Sequence, residues 1–258
     1  MGEFSKVEVD AGVWLVTIER PECLNALHPP ANFELADVFA AFAADDSARV
    51  AILTGAGERA FCAGNDLKYL AAGHPRRVPE LGFAGLTADY HRTKPVIAAV
   101  NGLAMGGGFE IALACDLIIA AEHAYFGLPE PRVGLAATAG GLHRLPRQIG
   151  MKAALGMILT GRRVLAAEGK ALGFVNEVVP TGESVVAAAR RWAAQICECA
   201  PLSIRASLDV VQRSLEEASL ELAASADYAS IRTLYASDDA REGPKAFAEK
   251  RKPEWRGR

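Results

Sequence analysis

Apolar and polar residues alternate over residues 7–9 and again over 13–18, and the two runs meet at Asp10-Ala-Gly12. Alternation on both sides of a short turn predicts a β-hairpin. The period then lengthens to helical spacing over residues 30–43, which predicts an amphipathic helix. Val50-Ala-Ile-Leu-Thr54 is an unbroken apolar run stopped by Gly55. Such a run predicts a strand covered on both faces. A second helical stretch is expected to end near Thr93. A buried strand over 95–100 follows, turned by Asn101-Gly102. A helix is expected over 107–114, and strands over 117–120 and 173–179. Strands separated by helices imply parallel α/β units.

The pattern changes near Ala200. From Pro201 glycine almost vanishes until Gly243. Helical spacing dominates, with long helices expected over 202–215 and 216–235 and a helical tail holding Glu249-Lys-Arg-Lys252. Leu220, Leu222, Tyr228, Ile231, Leu234 and Tyr235 give this part an apolar side. The chain is therefore read as an α/β core over residues 1–200 and a helical module over 201–258, packed on the core or on a neighbouring subunit. No low-complexity segment or short repeat is visible.

Composition narrows the function classes. The chain has 258 residues, 51% of them hydrophobic, enough to bury a sizeable core. A net charge of -3 and the lack of long charge runs argue against nucleic-acid binding. No apolar run reaches the ~18 residues of a membrane span, and no leader pattern opens the chain, so a membrane role is not expected. Its five cysteines are odd in number and scattered. That pattern fits a reduced, cytoplasmic protein with thiols used as small core residues. Cys197-Glu-Cys199 is too tight for usual zinc spacing, so no metal is expected.

Two glycine-rich segments invite a nucleotide reading and fail it. Gly55-Ala-Gly57 follows a strand but is interrupted by Phe61-Cys-Ala-Gly64, with no acid at the ribose position. Gly102–Gly108 has no Gly-Lys-Ser/Thr ending. This second segment lies in Ile97-Ala-Ala-Val-Asn-Gly-Leu-Ala-Met-Gly-Gly-Gly-Phe-Glu-Ile-Ala-Leu-Ala-Cys-Asp-Leu117, a strand, a turn, three glycines and a helix. Glycines there leave the first helical N–H groups uncovered and able to face an oxyanion. Alternatively, they serve close helix–strand packing. Phe61-Cys-Ala-Gly-Asn-Asp-Leu67 offers a second exposed turn, or simply a loop in which Asn65-Asp66 caps a helix. The five histidines have no Ser or Cys nucleophile motif beside them. His143, the most interesting, is read as a packing or surface residue.

Taken together, these two blocks resemble the enoyl-CoA hydratase/isomerase (crotonase) superfamily. Arg20-Pro-Glu-Cys-Leu-Asn-Ala-Leu27, Phe126-Gly-Leu-Pro-Glu130, Gly140-Gly-Leu-His-Arg-Leu145 and Phe247-Ala-Glu-Lys-Arg-Lys252 agree with it, in order, from about residue 5 to the end. The resemblance implies an α/β, crotonase-like spiral of ββα repeats with a C-terminal helical oligomerisation module. It implies a homotrimer or a hexamer made of two trimers. It implies an oxyanion hole formed by the backbone N–H groups of Asn65 and Gly107, and acid/base carboxyls at Glu110 and Glu130. Coenzyme A, carried as part of the substrate with no permanently bound cofactor, would run along Glu22, Cys23, Leu24 and Ala26 and along Ala63, Asp66, Leu67 and Lys68. Phe247 and Lys250 would meet its nucleotide end.

The implied reaction is reversible addition of water to a 2-enoyl-CoA. Addition pushes charge onto the thioester oxygen, and one preorganised N–H donor there is worth about 3–4 kcal/mol. Two carboxyls near one water can share the proton transfers as a coupled pair. From the residues alone, Glu110 could equally be an acid in the first turn of a helix, and Glu130 an exposed loop residue between Pro129 and Pro131. One departure from the family pattern concerns the acyl end: the run Val133-Gly-Leu-Ala-Ala-Thr-Ala-Gly-Gly141 has Ala137 and Thr138 where many hydratases have Pro-Gly. In place of a straight fatty chain, this admits a branched, polar or aromatic acyl group of the carnitinyl-CoA or hydroxycinnamoyl-CoA kind. The same resemblance also admits a Δ3-Δ2 isomerase using Glu130 alone, or a non-catalytic acyl-CoA binder. Retention of both acids and both glycine-rich turns argues against these two.

Overall fold

The computed structural model of the protein describes residues 2–258. Strands β1 (Ser5–Asp10) and β2 (Val13–Ile18) pair antiparallel. Their turn residues Ala11 and Gly12 have φ of +46° and +80°, the backbone twist that a two-residue hairpin requires. After α1 (Pro29–Ala44) the chain winds in a repeated unit: a strand in one sheet, a strand in a second sheet, then a helix. The first turn is β3 (Val50–Gly55), β4 (Ala60–Cys62) and α2 (Leu67–Ala71). The second is β5 (Val96–Val100), β6 (Leu103–Met105) and α3 (Gly107–Ala114). The third is β7 (Leu117–Ala121), β8 (Tyr125–Gly127) and α4 (Gly141–Ile149). Next come α5 (Met151–Thr160), β9 (Val164–Leu165), α6 (Ala166–Leu172), β10 (Glu177–Val179) and α7 (Val185–Glu198). The expected spiral of ββα turns is present. Its repeat lies in the backbone path and not in the sequence.

One sheet has the order β1-β2-β3-β5-β7-β10 and the other β4-β6-β8-β9. Pairing along β2-β3-β5-β7-β10 is parallel. Strands β3 and β5 are buried throughout, as their unbroken apolar runs require. Buried polar side chains tie off the strand ends. Asn101 Nδ2 donates to Gly55 O at 2.8 Å and Gly57 O at 2.6 Å, and Asn25 Nδ2 donates to Ala60 O at 2.8 Å. Lys94, 4% exposed, donates its ammonium to the carbonyls of Phe42, Ala43 and Asp45. These are acceptors at the end of α1 that no intrahelical N–H can reach. Under α3, Phe109, Phe126 and Phe174 pack ring to ring at 5.1–5.2 Å.

Several expected elements differ. The stretch up to Thr93 is irregular, with only a short 3-10 turn at Phe83–Gly85. Pro75 and Pro79 and the positive-φ glycines Gly73, Gly82 and Gly85 prevent a helix there. The strand expected over 173–179 is confined to Glu177–Val179, because Gly173 (φ +100°) is the left-handed cap of α6. From Pro201 the chain forms α8 (Pro201–Ser214), α9 (Leu220–Ser225), α10 (Ala229–Ala236) and α11 (Asp239–Ala248). The single helix expected over 216–235 is thus two, the second starting afresh after Ala226 takes an extended conformation. Likewise, the segment 249–252 lies beyond the end of α11, where Lys250 has φ +54°.

Candidate active site

Gly106 joins β6 to α3 with φ +55° and ψ −126°, a conformation open to glycine. Its N–H donates to Gly127 O on β8, and its carbonyl accepts the Glu110 N–H at 3.0 Å. The next residue, Gly107, opens α3. Its N–H has no intrahelical acceptor and meets no other among the described residues. A second free amide belongs to Asn65, next to Gly64, whose backbone adjoins Gly107. Asn65 forms a parallel bridge with Leu27: Leu27 N–H donates to Gly64 O at 2.8 Å, and Asp66 N–H donates to Leu27 O at 3.1 Å. In such pairing the two flanking residues bond to the partner, so the N–H of Asn65 itself points away from Leu27. The two backbones adjoin closely, since a Cβ added to Gly64 would stand 2.8 Å from Gly107 N. Close packing and exposed amides, alternatives in the sequence, therefore coexist. Gly108 serves packing, because a Cβ there would lie 1.9 Å from Cys62 O, and Gly107 leaves its N–H free.

Both carboxyls lie near the start of α3. Glu110, one turn into α3, is 4% exposed, and its Oε1 accepts the Gly141 N–H at 2.9 Å. Burial pushes this carboxyl up to about 7. The Gly141 amide opposes that rise and the charge of Glu130 adds to it. Glu130 begins a short 3-10 turn, Glu130–Val133, framed by Pro129 and Pro131 and closed by left-handed Gly134. Its Oε1 would stand 3.1 Å from a Cβ on Gly106. Its Oε2 is buried without a hydrogen-bond partner, and burial raises this carboxyl too. Gly64, the neighbour of Asn65, thus adjoins Gly107, Glu130 adjoins Gly106, and the two desolvated carboxyls are close enough for the charge of one to act on the other. Such a site can stabilise a developing oxyanion and move protons beside it.

A family model described as enoyl-CoA hydratase/isomerase matches residues 8–258. The chain belongs to the enoyl-CoA hydratase/isomerase family. It is similar to the carnitinyl-CoA dehydratase of Proteus mirabilis (strain HI4320), 44% identical over 252 residues and 94% of each chain. Its similarity to the carnitinyl-CoA dehydratase of Salmonella arizonae is 42% identity, covering 100% of both. Among solved structures it resembles an enoyl-CoA hydratase from Mycobacterium tuberculosis H37Rv with a TM-score of 0.92, 37% identity and full coverage of both chains. An enoyl-CoA hydratase from Mycobacterium marinum gives a TM-score of 0.93 at 39% identity, again with full coverage.

The remaining residues expected from the family fall into four segments. Glu22, Cys23, Leu24 and Ala26 form a tight turn in which Leu24 and Asn25 both have φ of +56°. This turn is zipped to the second loop by Ala63 N–H donating to Leu24 O at 3.0 Å. On that loop Asp66 caps α2, accepting the Tyr69 N–H at 3.1 Å, while Leu67 and Lys68 are exposed. Ala137 is buried beside Gly141 and Glu110, whereas Thr138 is exposed. Phe247, 86% exposed, and Lys250 stand at the end of the helical tail and are not among the residues gathered at Gly106.

The site also contains groups to which the sequence alone gives no role. Gly141 starts α4 and holds Glu110 through its N–H. The Gly140-Gly141 pair before an amphipathic helix was a visible signal, but nothing in the spacing aimed it at residue 110. Arg20 bonds Asp66 across the two loops. His143 is exposed on α4, as expected. His28 instead packs edge-on to Phe4 and Tyr69, at 4.6 and 5.4 Å, next to the Leu27–Asn65 bridge. No helix of the described residues is long and apolar enough to cross a membrane, and among them no cluster of three or more His, Cys, Asp or Glu side chains is arranged to hold a metal ion.

Proposed function

We propose that the protein is a hydratase/dehydratase of acyl-CoA thioesters and that its substrate is of the carnitinyl-CoA type. The observation that carries this reading is the pairing of two desolvated carboxyls, Glu110 and Glu130, with the unbonded amides of Asn65 and Gly107 near the start of α3. The thioester oxygen accepts both N–H groups and gains negative charge as water bonds to the β-carbon. One carboxylate takes the proton that water loses. The partner carboxylic acid protonates the α-carbon, and the enolate reverts to the thioester. Dehydration runs the same steps backward. Burial disfavours charge on both carboxyls, and the charge of Glu130 raises Glu110 further, which favours a proton shared within the pair.

Two observations favour the carnitinyl type over a straight fatty chain. The relatives at 42–44% identity named above are carnitinyl-CoA dehydratases. The segment beside Glu110 carries Ala137 and exposed Thr138 in place of the Pro-Gly expected of many hydratases. The test is ultraviolet absorbance of the conjugated thioester. Carnitinyl-CoA should gain the band and crotonyl-CoA should lose it, with kcat/KM at least tenfold higher for the carnitinyl pair. A tenfold preference for crotonyl-CoA would reject the substrate, and turnover of neither ester would reject the reaction. Appearance of the band from a 3-enoyl-CoA alone would make the enzyme an isomerase.

A further inference from the structure

Arg20 and Asp66 form an ion pair across the two loops that frame the Asn65 amide. Arg20 Nη2 lies 3.1 Å from Asp66 Oδ2, and both side chains are only 13% exposed. The same guanidinium donates through Nη1 to the Ala26 carbonyl. Asp66 uses its other oxygen, Oδ1, to accept the Tyr69 N–H and cap α2. Burial alone would raise the Asp66 carboxyl, but the Tyr69 amide and the Arg20 guanidinium outweigh it and hold it below the usual carboxylate range. Asp66 is therefore the anion of a bonded pair and has both oxygens committed.

What the pair holds together is the backbone on either side of the free amide. Ala26 precedes Leu27, whose N–H and carbonyl bond Gly64 and Asp66, the two neighbours of Asn65. The turn before it is not relaxed. Leu24 and Asn25 are both left-handed, a conformation that costs a non-glycine residue energy. Asn25 Oδ1 accepts the Arg20 N–H at 3.0 Å, which ties the start of the turn to its end. An oxyanion donor has to be held to within about 0.5 Å of its working place.

We propose that Arg20 and Asp66 act as one positioning unit that aims the Asn65 N–H at the thioester oxygen, so that neither serves as a direct contact to coenzyme A. The proposal rests on the hydratase reading for its kinetic arm, and a spectroscopic arm separates the two. An aromatic 2-enoyl-CoA absorbs at longer wavelength when its carbonyl is polarised, whether or not water adds. Asp66→Asn keeps the Oδ1 cap and removes the charge; Arg20→Met removes the donor and keeps much of the stem. Each full-length variant should lower kcat at least tenfold with KM within threefold. Each should also lose most of the red shift that the wild type imposes on the bound aromatic ester. The double variant should be no worse than the more damaged single one, and Arg20→Lys should recover part of the shift. Thermal unfolding of each variant shows whether a loss reflects misfolding, and Arg20→Lys supplies the folded comparison. Multiplicative losses in the double variant would overturn the proposal. So would a raised KM at unchanged kcat, or a full red shift in either variant. A wild type that shifts the ester without hydrating it would remove the hydratase reading and leave the positioning unit standing. A wild type that binds it without a shift would overturn the positioning unit itself.

Discussion

Glu110 is a carboxyl whose surroundings disfavour its charge. Its ordinary value of 4.5 rises to about 7 in the folded chain because burial removes water from it. Between these values the folded state binds more protons than the unfolded state, so this group's contribution to stability falls as pH rises from 4.5 to 7 and stays lost above. Glu110→Gln removes the charge while keeping an oxygen for the Gly141 N–H. We expect the variant to be more stable than wild type at pH 8 by on the order of 2 kcal/mol, and to gain little at pH 5. Paired thermal melts at the two pH values check this; equal differences at both would show that Glu110 is not desolvated. Gly141→Ala presses from the other side. A Cβ there would lie 3.1 Å from Glu110 Cγ and Oε1 and 3.0 Å from the Ala137 methyl. Displacing the carboxyl should lower kcat about tenfold or more, since reacting groups misplaced by ~1 Å can cost 10²-fold. Steady-state kinetics unchanged from wild type would contradict that. At this scale Glu110, Glu130, Asn65 and Gly107 were legible only through the family resemblance. Spacing alone left Glu110 as an ordinary first-turn acid and Glu130 as a loop residue. Burial of Glu130 Oε2 and the Gly141 bond depend on contacts made across 24 to 31 residues of chain, which no local pattern encodes.

Among the elements, those with unbroken or regular apolar patterns were read well. β3, β5 and α3 begin and end within a residue or two of their expected limits, because each buries the whole of its length. The irregular 72–92 stretch departs from the helix expected there because its shape comes from packing. Gly85 sits so close to α1 that a Cβ would stand 2.5 Å from the Ala36 Cα. The capping of α1 by Lys94 was equally hidden, since it joins residues 49 to 52 positions apart. Lys94→Met keeps the apolar stem and strands three carbonyls. We expect it to lower unfolding free energy by on the order of 2 kcal/mol, with kcat unchanged. Urea titration beside steady-state rates tests this, and an unaltered midpoint would show the cap to be dispensable.

For the whole molecule, the helical tail is the part least satisfied within one chain. Tyr228 is buried and donates its hydroxyl to Ala223 O at 2.9 Å. By contrast Leu215, Leu220, Tyr235 and Phe247 are 73%, 84%, 75% and 86% exposed. Apolar side chains left this open are available for packing against another protein chain. We propose the homotrimer, alone or paired as a hexamer, that the family resemblance implies. Light scattering at micromolar concentration should give three or six times the mass of the 27.3 kDa chain, and a monomer would contradict the proposal. The spiral itself was foreseen through the resemblance and not through internal similarity of its turns. Its repeat is carried by short strands such as β4, β6 and β8, three residues each, too short to leave a periodic signature.

In the proposed reaction Glu130, half-buried and with an unbonded oxygen, moves a proton beside an oxyanion held by two amides. Replacing it with Gln preserves shape and removes that capacity. The Glu130→Gln enzyme should lose at least about a hundredfold in kcat while its dissociation constant for the acyl-CoA ester stays within about threefold. Turnover within threefold of wild type would contradict the mechanism.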